Sequence, residues 1–270
     1  MSLLNFHVRH EVTPERVWGV LEANAEKLPF DHIIQAERQV GRLRQLGLLD
    51  KSGTGPTAVG SQLYRIGLQK RSVAIELLHL QHYTLWQPEK PLENTLAWSY
   101  RTYCDMLFER SELILDQVAR ESLTAELNNA ILDFFGSQAT QTKKGFVSLS
   151  TNSLTGINHW LAALEPPAIE EEKFTRRLFC SPELLVMSIG WIFLSGDMDL
   201  DVDLLLTLEN RSKLCKICLL QPEALDRVLD WTLSLYPTLI QPGTRTGSYG
   251  RFIRLRKLPQ WTDLLAEDGK

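Results

Sequence analysis

The chain has 270 residues and a formal net charge of −4, with 44% hydrophobic and 23% charged side chains. This is the composition of an ordinary globular protein long enough for two or three compact modules. It excludes a globally basic surface, so any contact with nucleic acid has to rest on local charge. No apolar run reaches the roughly 20 residues that a bilayer span requires, and the N-terminus lacks the basic-then-apolar profile of a secretory leader. Cys104, Cys180, Cys215 and Cys218 do not form a spaced disulfide framework. A cytoplasmic protein with reduced thiols is expected.

The first helix is signalled by Thr13-Pro14-Glu15-Arg16, in which Thr caps, Pro fits the first turn and Glu suits the positive end of the dipole. Val17, Val20 and Leu21 follow at helical spacing. After the break at Leu28-Pro29-Phe30, Asp31 is a second cap candidate, and Ile33, Ala36, Val40, Leu43 and Gly47 share one stripe. The opposite stripe carries Gln35, Arg38, Arg42 and Gln45, with Gln39 beside it. Arg and Gln pair bidentately with base edges, so this is the surface of a recognition helix. A solvated polar face is the plain alternative.

The turn formers from Lys51 to Pro56 then read as a loop tip, with Lys51 available to a phosphate, and Thr57 to Leu63 as the exit from a wing. Residues 1–70 are therefore expected to form a winged helix-turn-helix that binds double-stranded DNA. On this reading, alanine at both Arg38 and Arg42 weakens DNA binding and leaves stability nearly unchanged.

Beyond this unit the pattern is mostly helical. Val73 to Trp86 reads as a buried helix stopped by Pro88 and Pro91, and Asn94 caps a second helix running through Phe108. Ser111 opens a helix toward Val118, and Ser122 or Thr124 opens another that ends near Gly136. Ser137 to Gly145 reads as a polar linker. Ser150 to Leu164 is helical up to Pro166-Pro167, Phe174 to Cys180 extended, and Pro182 to Leu194 helical. A polar turn and a helix occupy Ser195 to Leu208, a helix spans Pro222 to Tyr236, and the alternation from Arg251 to Leu258 predicts a strand. The expected fold is mainly α, a winged helix followed by a larger helical region with a few short strands, in units 1–70, 71–136 and 146–270.

Several constellations suggest chemistry. Asp197, Asp199, Asp201 and Asp203 alternate like a calcium loop, but Val202 stands where Gly is needed and Leu208 where Glu is needed. They read instead as charge near a helix start. Cys215 and Cys218 form a lone CxxC without a second pair and read as buried thiols. Glu76, His79 and His82 share a helix face without a second Glu-x-x-His helix, and read as hydrogen-bonded groups at the core edge.

Gly243 to Arg251 resembles a phosphate-cradling loop or a plain turn. Arg245, Arg251, Arg254, Arg256 and Lys257 have no acidic neighbour in their interval, which suits either phosphate contact or an aggregation-resistant edge strand. No catalytic residue, metal or cofactor is expected.

Four segments carry a family resemblance: Gly60-Ser-Gln-Leu-Tyr-Arg-Ile-Gly67, Ile75 to Tyr83, Leu96 to Tyr100 with Phe108 to Leu113, and Phe179 to Leu185. In their order the chain resembles the prokaryotic domain of unknown function 4007, a family of defence islands and DNA phosphorothioation loci. The resemblance implies a non-catalytic accessory component of a DNA-modification, DNA-mobility or antiviral system, with protein partners in a complex. A protein-interaction adaptor using its winged helix for protein contacts is the alternative.

Overall fold

Thr13 accepts a hydrogen bond from the Arg16 N–H and Pro14 takes the first helical position, so α1 (Pro14–Ala25) starts at the expected cap. The structure is a computed structural model that describes residues 4–27, 33–50, 52, 55–136, 139, 149–245 and 250–265. The side chains of residues 33–36 and 245 are also outside the description.

Helix α2 (Ile33–Gln45) follows; the expected Asp31 cap lies outside the described residues. Gly47, at φ +70, turns the chain out of α2. An antiparallel bridge between Leu49 and Pro56 closes the loop, and Thr57 caps α3 (Ala58–Gln69) through the Gly60 N–H. Among the described residues, that bridge stands where a two-stranded wing was expected. The N-terminus is a three-helix unit in which α1 packs on α2 and α3.

Both glycines of the Gly60–Gly67 segment are close-approach positions. A Cβ on Gly60 would meet the Leu48 backbone, and one on Gly67 would meet the Trp18 ring.

Helix α4 (Arg71–Thr84) is buried at every position from Val73 to Leu80. A helix apolar on all sides must be surrounded, and α4 packs against α3, α5 (Thr95–Arg110), α8 (Pro182–Ser195) and α9 (Leu208–Cys218). Ser111, at φ +63, ends α5. The chain then enters β1 (Glu112–Ile114) rather than the helix expected from Ser111. Asp116 caps α6 (Gln117–Phe135), which runs without a break through the expected start at Ser122 or Thr124 and stops at Gly136.

Helix α7 (Thr151–Ala162), β2 (Ile169–Glu170) and β3 (Lys173–Thr175) come next. The strands form an antiparallel sheet in the order β1-β3-β2. Ser181 caps α8 (Pro182–Ser195). A second antiparallel sheet, β4-β6-β5, joins β4 (Asp203–Leu205), β6 (Gly250–Leu255) and β5 (Ile240–Arg245). Helices α9 (Leu208–Cys218) and α10 (Leu225–Leu235) lie between β4 and β5 in sequence. The protein is thus mainly helical with a few short antiparallel strands.

The N-terminal segment 4–12 is anchored in the core. Phe6 meets the Phe135 ring edge-on at 4.9 Å and Trp98 at 6.4 Å, and the Trp160 indole donates to the Val12 carbonyl at 2.9 Å. Each aromatic pair adds about 0.5–1.5 kcal/mol beyond area burial, so this segment is fixed against α5, α6 and α7.

Candidate nucleic-acid interface

The polar face expected of α2 is only partly outward. Arg38 and Gln45 are exposed, and Arg38 pairs with Glu11 at 2.5 Å. Gln39 and Arg42 are 2% and 5% exposed, which corrects their assignment to a solvent-facing stripe. The buried set is Gln39, Arg42, Leu43 and Leu46, so the inward face is rotated about the helix axis from the one that apolar spacing indicated. The interior supplies polar partners: the Glu11 carbonyl accepts from Gln39 Nε2 at 3.1 Å, and His82 Nε2 accepts from Arg42 Nε at 2.9 Å. Removing Arg42 would open a cavity and strand His82, so an unchanged stability no longer follows. Lys51 and the Gln35 side chain lie outside the described residues.

Arg42 is under-satisfied. Its Nη1 makes a long 3.4 Å contact with Gln45 Oε1, and its Nη2 is buried without a partner. Burial pushes its pKa down to about 9, because the charged form has lost water without gaining a carboxylate. Arg42 lines two adjoining crevices of about 250 and 310 Å³. The first lies between segment 4–12 and α2 and brings Arg9, Arg38 and Arg42 together. Arg9 escaped the sequence reading because no periodicity marks an extended segment.

Three of the C-terminal cations, Arg251, Arg254 and Lys257, are compensated by acids outside their interval, which corrects the reading of the whole set as an uncompensated patch. Arg254 Nη2 binds Asp203 at 2.6 Å, across the β4–β6 register that sets the two residues opposite each other. Arg251 pairs with Asp226 at 3.4 Å and with Asp230. Lys257 pairs with Asp263 at 2.7 Å, and Arg256 reaches Gln241 at 3.5 Å. Arg245 pairs by backbone register with Gly250, and its side chain lies outside the described residues. Gly243 sits in β5 against the Phe252 ring, and residues 246–249 of the suggested phosphate loop are not described.

The polar residues of α4 lie inside the core rather than at its edge. Glu76 binds the Arg177 guanidinium and also accepts from the Ser181 N–H at 2.9 Å. His79 donates through Nε2 to the Ile217 carbonyl and accepts through Nδ1 from the Tyr100 hydroxyl, both at 2.8 Å. His82 donates through Nδ1 to the Leu78 carbonyl at 2.8 Å. Burial lowers the pKa of both histidines, that of His79 to about 4.

The CxxC thiols are buried; burial pushes Cys215 up to about 12. Asp197, Asp199 and Asp201 lie before β4 rather than at a helix start, and Asp203 begins β4, where Arg254 engages it. Among the described residues no group of three His, Cys, Asp or Glu side chains is placed to hold a metal.

A larger cleft of about 1100 Å³ opens between α4, α5, α8 and α9. Tyr83 donates there to Asp105 at 2.6 Å, and Arg101 stacks over the Tyr83 and Trp191 rings at 5.4 and 5.3 Å. Burial raises the Asp105 pKa. The sequence gives no sign of this cleft, since its residues come from four helices, from β4 and from the segments that follow α4 and α8.

Comparison with protein-family models, with curated proteins and with solved structures found no match to this chain. No helix among the described residues is long and apolar enough to cross a membrane.

Proposed function

We propose that the protein binds duplex DNA through its N-terminal three-helix unit, as a non-catalytic component of a prokaryotic DNA-modification, DNA-mobility or defence assembly. The observation that carries this reading is charge segregation. Residues 1–71 hold ten Lys/Arg against seven Asp/Glu, within a chain whose net charge is −4. The exposed cations Arg9, Arg38 and Arg44 stand on segment 4–12 and α2, where they can meet successive phosphates. The assembly is what the family resemblance implies.

The test is duplex binding at several salt concentrations. Replacing Arg9, Arg38 and Arg44 together by Ala should weaken binding to all sequences and flatten the logarithmic salt slope by about 0.9 for each phosphate no longer neutralised. An unchanged slope in the folded triple variant would remove the DNA reading.

A second reading, a protein-interaction adaptor, is favoured by a different surface. Trp231 and Leu235, one turn apart on α10, are 45% and 50% exposed, and Leu178 is 59% exposed. The Phe179 ring lies 5.3 Å from that of Trp231. Exposed aromatic and aliphatic side chains grouped in this way suit a protein partner.

A further inference from the structure

We infer that the crevice between segment 4–12 and α2 is the seat of a single phosphate group, with Arg42 as its inner wall. Arg42 is a buried guanidinium with no carboxylate among its partners. A charge held in this way is costly unless a counter-ion completes it. The donor left for that ion is Nη1, whose 3.4 Å contact with Gln45 is long; Nη2 is buried without a partner, so the guanidinium charge is not matched from within the protein.

The remaining lining fits the same chemistry. Arg9 adds positive charge at the rim, Arg38 stands there paired with Glu11, and Asn5 and Gln45 add amide donors. A volume of about 250 Å³ admits a phosphate with a short ester arm and no folded peptide. The adjoining crevice contains no second cation among its lining residues and carries Glu93, so the phosphate belongs in the first. Glu37 also lines that crevice and opposes the anion, which gives the seat a distinctive signature. A planar fork that offers two parallel N–H groups is the residue suited to phosphate, and lysine does not replace it.

The seat stands on this geometry independently of DNA binding; the phosphate can come from a nucleic-acid backbone or from a free phosphate ester. Titration of the full chain with inorganic phosphate at constant ionic strength, by calorimetry with sulfate and chloride controls, is the test. Saturable binding is expected, weakened about tenfold or more by Arg42→Lys and by Arg9→Ala, and tightened by Glu37→Gln. Arg42→Met preserves volume and removes the charge, and should abolish binding while the fold persists. Should that variant unfold, Arg9→Ala and Glu37→Gln carry the test on the rim alone.

Phosphate that competes with a duplex identifies the backbone as the source, and phosphate that binds without competing identifies a free ester. Phosphate binding without duplex binding would sink the DNA proposal and keep the seat. Absence of saturable phosphate binding, or binding indifferent to Arg42→Lys, Arg9→Ala and Glu37→Gln, overturns the seat whatever the duplex does.

Discussion

Glu76 and Arg177 are 1% and 0% exposed and bind each other inside the core. Arg177 also donates to the Pro166, Glu165 and Cys218 carbonyls at 2.8, 2.9 and 3.3 Å, so one guanidinium ties α4 to the chain before β2 and to the end of α9. Glu76→Gln keeps the volume but leaves a buried cation without a counter-charge. Arg177→Met leaves a buried carboxylate and strands three carbonyls. Breaking a buried pair from one side costs about 3–5 kcal/mol, a large part of the ~5–15 kcal/mol that holds a domain folded.

The double variant Glu76→Gln/Arg177→Met has no uncompensated charge. It should therefore be less damaged than the sum of the singles by about 2 kcal/mol or more. Urea unfolding of the four proteins, with unchanged slopes, measures the cycle. Singles that each lose under about 1 kcal/mol, or effects additive to within about 0.5 kcal/mol, would refute the claim that these charges depend on each other.

Stability should also depend on pH through the α4 histidines. His79 is held neutral, its pKa lowered from 6.5 to about 4, so the unfolded chain binds a proton that the folded chain refuses. The contribution is fully present above about 6.5 and is lost as pH falls toward about 4, roughly 3 kcal/mol in all; unfolding midpoints at pH 7 and 4.5 should differ by less in His79→Gln. Gly67→Ala drives a methyl into Trp18 and should cost about 1–3 kcal/mol by thermal or urea unfolding, whereas a neutral result would mean that α1 and α3 separate freely. Arg254→Glu sets a carboxylate against Asp203, whose side chain is 6% exposed. It should lower stability by about 1–3 kcal/mol, and an undiminished unfolding midpoint would place the Arg254 side chain in solvent.

What the sequence disclosed and what it concealed divide along the range of the interactions. Thr13, Thr57 and Ser181 accept hydrogen bonds from N–H groups three residues ahead, so their helix starts are written locally; Asp116 does the same for α6, but the expected starts lie at Ser111 and at Ser122 or Thr124. The unbroken burial of α4 was equally legible, because a helix apolar all round has to be enclosed. Glu112 to Ile114 was misread as helical because its reason for being extended is β3, some sixty residues away. The C-terminal arginines looked uncompensated for the same reason, their acids lying on β4 and α10.

The α2 face is the most instructive case. Spacing identifies a polar stripe but not where the acceptors are, and an Arg or Gln turns inward once the interior provides one. Gln39 found the Glu11 carbonyl and Arg42 found His82. Gln39 Oε1 and Arg42 Nη2 are nevertheless left without partners. A core that took in these side chains for packing alone would have filled such places with Leu, as it did at Leu43 and Leu46. At Arg42 the proposed phosphate seat supplies the missing counter-charge; Gln39 Oε1, an acceptor, is not explained by it.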